Sequence, residues 1–219
     1  MYFGTLSIRY FVLMTQLATS STIIEGIDAM QKSGLASFAI FYYDFREKEK
    51  KDLRGLLSSI LCQLCDQSYS YYAILSTFYS TYHDGARKPS NDELIRCLKE
   101  LLSLPGQAPV YLIVDALDEC PNTSLPSHRD QVSVFLEDLV DSKLPNLRIC
   151  ITSRPETDIK PILEPLTFRS VSLHDEGGQK EDIEIYIKSI VNTDRRMRRW
   201  TSAHKQLVID VLTERADGM

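Results

Sequence analysis

Three acidic residues follow a hydrophobic run in the middle of the chain. The run VYLIV at 110–114 precedes Asp115, and Asp118 and Glu119 come within the next turn. A buried strand that delivers a carboxylate to its carboxyl end can hold Mg²⁺, usually through water, opposite the phosphates of a nucleotide. Asp115 is best placed for that role. Asp118 or Glu119 could orient or deprotonate an attacking water.

A second hydrophobic run, LRICI at 147–151, ends in Thr152, Ser153 and Arg154. A guanidinium at the edge of a neighbouring strand can offer a cation to a γ-phosphate as charge develops during transfer. The alternative for both runs is that their polar residues cap helices or face solvent. Taken together, the two runs favour a nucleotide site in which Thr152 and Ser153 join Asp115 as cofactor-binding candidates.

Strand and helix patterns alternate along the chain. Strands are predicted at 38–45, 109–115, 147–152 and 168–173, and helices at 20–32, 53–64, 69–82, 90–104, 130–141, 156–163, 182–191 and 202–215. Such alternation requires crossover connections, which produce an α/β fold with a mostly parallel sheet and helices on both faces. Beyond 178 the pattern is helical only. Ligands in such sheets bind beyond the carboxyl ends of the strands, where both polar clusters fall.

Composition narrows the class of protein. Of 219 residues, 43% are hydrophobic and 25% are charged, which is typical of a globular chain. A net charge of −5 argues against a nucleic-acid partner. The single basic cluster, RRMRRW at 195–200, is interpreted as a solvated loop or helix end.

The cysteines and the amino-terminal segment indicate the cellular compartment of the protein. The five cysteines are scattered and form no disulfide framework, which predicts a reducing, cytoplasmic location. The apolar run at 10–14 is too short to span a bilayer, so no membrane partner is expected.

The motifs together resemble the NACHT class of signalling P-loop NTPases (STAND class), in particular the nephrocystin-like fungal NACHT proteins. The matching segments are FYYDFR at 41–46, DLRGLL at 52–57, the Walker B-like LIVDALDE at 112–119, the sensor-like ITSRPE at 151–156 and LTERADGM at 212–219. The resemblance implies a P-loop NTPase-type sheet followed by a helical subdomain. It also implies a switch that couples ATP or GTP with Mg²⁺ to oligomerisation, with full-length NACHT proteins or a second copy as partners.

By matching position, the resemblance makes Asp115 the Mg²⁺ ligand, Asp118 and Glu119 the candidates for water activation, and Arg154 the sensor. The family's phosphate loop, G-x-x-x-x-G-K-[ST], has no counterpart. Aligning on the first helix puts Gln16 at the lysine position, Leu17 at the Ser/Thr position, and Thr15 and Leu13 where glycines belong.

Shifting that alignment does not restore the loop, because no glycine lies between Gly4 and Gly26 and no lysine precedes Lys32. Glycines allow the backbone N–H groups to wrap the phosphates, and the lysine neutralises the β and γ oxygens. The sequence therefore predicts that neither Mg²⁺ nor ATP or GTP is bound tightly. The catalytic positions Asp118, Glu119 and Arg154 would then be vestigial.

Three segments are expected: a divergent amino terminus at 1–18, a partial NACHT core without the phosphate loop at 19–175, and the truncated start of a helical subdomain at 176–219. Residues 10–14 could form a substitute first strand that shields an edge of the sheet. The predicted function is a non-catalytic oligomerisation or regulatory remnant of a NACHT-type switch. The alternative is an active ATP or GTP hydrolase with an unorthodox phosphate site. A metal-dependent hydrolase or nuclease that uses Asp115, Asp118 and Glu119 is disfavoured, because the acidic charge argues against nucleic-acid substrates.

Overall fold

The computed structural model describes residues 10–14, 27–44, 52–82, 87–123, 125–154, 156–166, 169–172 and 179–215. The chain folds into two compact units, Met1–Val171 and Ser172–Met219. The first contains the sheet strands β1 to β4 and most of β5, together with the helices that cover them. The second is helical. The predicted α/β class with a mostly parallel sheet is confirmed.

Five strands form one sheet, in the order β2-β3-β4-β1-β5. The strands are β1 (Tyr10–Met14), β2 (Ser37–Tyr42), β3 (Val110–Asp115), β4 (Leu147–Thr152) and β5 (Arg169–Ser172). The pairs β2–β3, β3–β4 and β4–β1 are all parallel. The carboxyl end of β4 therefore lies between those of β3 and β1, which brings the ends of both predicted polar runs to one edge.

Helices connect the strands. They are α1 (described over 27–32), α2 (Leu53–Cys65), α3 (Tyr69–Thr81), α4 (Asn91–Leu102), α5 (His128–Asp141) and α6 (Lys160–Leu166) in the first unit. In α2, one apolar stripe at helical spacing is buried: Leu53, Leu56, Leu57, Ile60, Leu61 and Leu64. Helix α1 ends where Gly34 takes a φ of 71°, a left-handed conformation that glycine adopts without steric cost.

Capping fixes the start of α4 and α5. Ser90 accepts a hydrogen bond from the Glu93 N–H, and the Glu93 carboxylate accepts one from the Ser90 N–H, forming the predicted capping box. Hydrogen bonds to its carboxylate from the Ser90 backbone and from the Tyr82 side chain lower the pKa of Glu93 to about 2. A second capping box, between Ser127 and Asp130, starts α5 slightly earlier than predicted.

Strand β1 and helix α6 also differ from the sequence-based expectation. Strand β1 was expected to shield an edge of the sheet, but it lies inside the sheet, between β4 and β5. Helix α6 was expected from 156 and begins at Lys160. The next residue, Pro161, fits the first turn of a helix, where its missing N–H leaves no hydrogen bond unmade.

The exposed edge of β2 is covered by two glutamines, Gln63 of α2 and Gln67 in the turn that follows this helix. Gln63 Oε1 accepts from the Ile40 N–H at 3.0 Å, and Gln63 Nε2 donates to the Ile40 carbonyl at 2.8 Å. One turn later, Gln67 forms the same pair of bonds with Phe38. At Phe38 and Ile40, the backbone groups that a sheet edge would otherwise offer to another strand are therefore satisfied within the chain.

The second unit contains α7 (Gln179–Thr193), a 3₁₀ turn (Arg195–Met197) and α8 (Ser202–Arg215). Helices α7 and α8 pack against each other, and among the described side chains of this unit the buried apolar ones are Val191 and Ile209. Among the residues that the structure describes, no helix is both long and apolar enough to cross a bilayer.

Replacing both edge glutamines, Gln63→Ala with Gln67→Ala, is expected to lower the free energy of unfolding by about 2 kcal/mol or more. Four half-buried backbone hydrogen bonds lose their partners, and buried unpaired amides are costly. Urea unfolding followed by circular dichroism measures the change. Gln131→Ala in α5, whose side chain makes no described hydrogen bond, is the matched control. Equal stability of the double variant and the control would contradict this account.

Candidate functional site

Two of the predicted site residues meet at the carboxyl edge of the sheet. Asp115 ends β3 and Thr152 ends β4, and the register pairs the preceding residues, Val114 and Ile151. Both polar side chains are buried, with exposed fractions of 3% and 2%. The parallel pairing of the two strands is what brings them together, since they are far apart in sequence.

Asp115 is held by the hydroxyl of Thr152. Thr152 Oγ1 donates to Asp115 Oδ1 at 2.5 Å and accepts from the Ala116 N–H at 3.0 Å. On the other side, the Asp115 carbonyl accepts from the Tyr43 N–H at 3.0 Å, which extends the β2–β3 pairing by one residue. A buried carboxylate needs such donors, because burying a charge without hydrogen bonds is costly.

The chain turns sharply after Asp115. Ala116 has a φ of 55°, a left-handed conformation that costs a residue with a side chain on the order of 1 kcal/mol. A 3₁₀ turn, Leu117–Glu119, follows. Leu117 is fully buried, whereas Asp118 and Glu119 are half-buried. The turn therefore anchors one apolar side chain in the core and directs two carboxylates outward.

Asp118 is bound by Arg154, from the loop after β4. Asp118 Oδ1 accepts from the Arg154 N–H at 3.0 Å, and Asp118 Oδ2 lies 3.5 Å from Arg154 Nε. The Asp118 side chain is only 12% exposed, while that of Arg154 is 70% exposed. The residue predicted to activate water and the residue predicted to sense phosphate thus contact each other.

Arg129 of α5 is a site residue that the sequence analysis missed. Its guanidinium donates to the carbonyls of Asp118 and Cys120, and forms an ion pair of 2.8 Å with Asp158. Asp158 also accepts from Asn122. Arg129 therefore fastens both ends of the acidic turn to α5. The sequence carried no signal for this role, because its partners lie on separate segments of the chain.

An open groove with a volume of about 360 Å³ lies over the acidic turn. Its lining is polar and of mixed charge: Asp118, Glu119, Cys120, Pro121, Asn122, Arg129, Arg154 and Glu156. Asp115, Thr152 and Ser153 are not part of the lining. Ser153 is buried, and its hydroxyl donates to the Arg154 carbonyl at 2.9 Å. The six predicted residues thus divide into a buried set and a groove set.

The thiols beside the site are protonated at neutral pH. Burial raises the pKa of Cys120 to about 11, and burial together with the charge of Asp115 raises the pKa of Cys150 to about 11. Thiols with such pKa values are poor nucleophiles and metal ligands, because the thiolate is the reactive form. Burial and Asp115 also raise the pKa of Tyr42.

Among the described residues, the donors at the strand ends do not make a complete Mg²⁺–nucleotide site. Asp115 is the predicted carboxylate that ends a strand, and one of its oxygens already accepts from Thr152. Within the described part of the chain, no three His, Cys, Asp or Glu side chains are grouped to hold a metal ion. The register that aligns Thr15, Gln16 and Leu17 with a phosphate loop lies outside the described residues. Leu13, aligned with a loop glycine, is instead part of β1 and pairs with Thr152.

Thr152→Val is expected to lower the free energy of unfolding by about 1–3 kcal/mol. The substitution keeps the shape of the side chain but removes one donor to the buried Asp115 carboxylate and the acceptor of the Ala116 N–H. Urea unfolding measures the loss. Thr152→Ser retains the hydroxyl and should keep most of the wild-type free energy of unfolding. If the valine and serine variants were equally stable, the hydrogen bond would have no structural role.

Arg129→Met is expected to lower the free energy of unfolding by about 2 kcal/mol. The reason is that the Arg129 side chain is only 12% exposed and is a charged donor to two carbonyls and to Asp158. The acidic turn should also loosen. Hydrogen exchange at the Glu119 and Cys120 amides, which bond to Ala116 and Leu117, should accelerate. Arg148→Met in β4, at a half-buried arginine whose described hydrogen bonds go to the Pro145 and Leu147 carbonyls, is the control. Unchanged exchange would contradict the anchoring role.

Solved structures that are similar to this chain include ORC proteins and an ATPase. Drosophila ORC bound to DNA has a TM-score of 0.43 and 13% identity, covering 76% of this chain and 80% of that one. Aeropyrum pernix ORC2, in ADPNP–ADP complexes, has a TM-score of 0.47 and 12% identity, covering 92% and 50%. A Walker-type ATPase of Pyrococcus abyssi has a TM-score of 0.45 and 14% identity, covering 83% and 53%. Likeness at this level carries no argument about function. No curated protein sequence matches the chain.

One expectation from the sequence is corrected here. A nucleic-acid partner was excluded because the net charge is −5, yet a protein among these similar structures, Drosophila ORC, is bound to DNA. Net charge does not support the exclusion, which is wrong. The physical reason is that net charge averages over the whole surface, whereas a nucleic acid contacts only a local patch.

Family membership follows from the sequence match. The family model described as nephrocystin 3, N-terminal, matches residues 18–154, more than half of the chain. That range includes β2, β3 and β4, and with them both predicted polar runs. The match agrees with the parallel α/β sheet and the acidic strand edge described above. The chain therefore belongs to the nephrocystin 3 N-terminal family.

Proposed function

We propose that this chain is a non-catalytic regulatory module derived from a NACHT-type nucleotide switch. In this proposal, the Walker B-like Asp115 and the sensor-like Arg154 are retained, while tight nucleotide binding and hydrolysis are lost. Asp118, Glu119 and Arg154 are then vestigial catalytic residues. The module acts in the cytoplasm, where a reducing environment keeps its five free cysteines as thiols.

The observation that carries the proposal is the pairing of Asp118 with Arg154. A general base must accept a proton from water, and a phosphate sensor must present an available cation. Here one Asp118 oxygen accepts the Arg154 N–H, and the other lies beside the guanidinium. Each group neutralises the other, so neither is poised for phosphate chemistry.

The absent phosphate loop supports the same conclusion. Between Gly4 and Gly26 no glycine lets the backbone wrap a phosphate, and no lysine precedes Lys32. Loss of a single transition-state contact commonly costs about 10²–10³-fold in rate. The loss of an entire phosphate cradle leaves negligible hydrolysis.

Calorimetric titration of the full chain with Mg·ATP and with Mg·GTP tests the proposal. We expect no saturable heat at submillimolar nucleotide, and no difference between the wild type and Asp115→Asn. Phosphate release assays should give equal background rates for wild type, Asp118→Asn and Arg154→Gln. Circular dichroism confirms that each variant is folded.

A different result would favour the alternative, an active ATP or GTP hydrolase with an unorthodox phosphate site. Submillimolar affinity that is lost in Asp115→Asn would overturn the proposal. So would phosphate release that falls in Asp118→Asn. Glu137→Gln, which removes an acid of α5 outside the groove, is the matched control for both assays.

A further inference from the structure

We infer that the loop between α7 and α8 binds single-stranded nucleic acid. This loop, residues 194–200, is called the arginine loop below. It contains Asp194, four arginines, Met197 and Trp200. The inference does not depend on the proposed loss of nucleotide hydrolysis, because the loop lies in the second unit and shares no residue with the groove over the acidic turn.

The arginine loop has a defined conformation. Asp194 caps its 3₁₀ turn by accepting from the Arg196 N–H at 2.7 Å, and the Met197 N–H donates to the Asp194 carbonyl at 3.1 Å. The Trp200 N–H in turn donates to the Met197 carbonyl at 3.1 Å. These bonds hold the arginines within two short turns, which reduces the entropy lost when they bind a partner.

The loop carries uncompensated positive charge. Four arginines against one aspartate leave a local charge of +3, whereas the whole chain carries −5. Arg196 forms an ion pair with Asp194 at 3.2 Å. In the described part of the chain, the other three arginines, at 195, 198 and 199, form no ion pair, and all three are exposed. The cations are thus available to an external anion.

The aromatic residue beside them favours nucleic acid over other polyanions. Trp200 is 42% exposed and directly follows Arg198 and Arg199. Arginine binds phosphate through paired N–H groups, and an exposed aromatic ring stacks on a base. An acidic peptide would use the charges but has no base to cover the indole ring.

A single strand fits the loop better than a duplex. Duplex bases are stacked inside the helix and are read by a helix or strand that enters a groove. A short turn with one exposed ring instead suits bases that are already unstacked, since every base offers an aromatic face. The first turn of α8 adds one more cation, Lys205, a few residues beyond the loop.

Trp200 makes the test specific, because it is the only tryptophan in the chain. Oligodeoxythymidine titrated into the full chain should quench its fluorescence by stacking. Anisotropy of a labelled oligonucleotide gives the affinity. That affinity should fall between about 50 and 200 mM salt, with a slope of ~0.7 per phosphate contacted.

The triple variant Arg195→Gln, Arg198→Gln and Arg199→Gln should bind at least about tenfold more weakly and show a shallower salt slope. Trp200→Leu should also weaken binding about tenfold while keeping the slope. The matched control is Lys32→Gln with Lys160→Gln and Lys188→Gln. It removes the same charge from exposed lysines on three other helices, and should bind like the wild type.

Several outcomes would overturn the inference. If the triple arginine variant and the triple lysine variant bound equally well, the affinity would be due to net charge and not to the arginine loop. Quenching of Trp200 by polyglutamate at the same concentration would indicate an acidic protein partner instead. If the arginine triple does not fold, the wild type decides the question: no quenching by oligodeoxythymidine at low salt rejects the inference, and salt-sensitive quenching supports it.

Discussion

A buried carboxylate must be hydrogen-bonded, and at the carboxyl edge of this sheet the hydroxyl of Thr152 meets that requirement for Asp115. The bond joins the ends of β3 and β4. Thr152 also receives the Ala116 N–H, so the same hydroxyl fixes the left-handed turn that follows β3. The direction in which Asp118 and Glu119 leave the sheet depends on that turn.

The acidic turn is further restrained from outside the sheet. Arg129 holds its carbonyl groups, and Arg154 holds the Asp118 carboxylate. Asp118, Arg129 and Arg154 therefore restrain this turn through contacts within the chain. These contacts contribute to the rigidity of the sheet edge.

Charge is distributed unevenly over the molecule. The groove over the acidic turn contains both signs in close contact, whereas the arginine loop presents cations with a single acidic partner. The net charge of −5 conceals that difference. Binding depends on the local field, which falls off over about 10 Å at 0.1 M salt. The two regions of this chain can therefore have opposite preferences for anions.

The sequence by itself determined the elements and the chemistry of the strand ends. Apolar spacing predicted α2 and β4 closely, and Ser90 with Glu93 identified the start of α4, because these signals depend on residues a few positions apart. The same reasoning identified Asp115 and Thr152 as neighbours at one edge, since parallel strands end together.

Only the tertiary structure decided which partners those residues have. The place of β1 inside the sheet, the contact of Asp118 with Arg154, and the closure of the β2 edge by Gln63 and Gln67 all join segments far apart in the chain. Local pattern carries no information about such pairings, because they depend on strand order and on how helices pack over the sheet. Asp118 illustrates the difference: its sequence position predicts a catalytic acid, and its neighbours in space make it half of an ion pair.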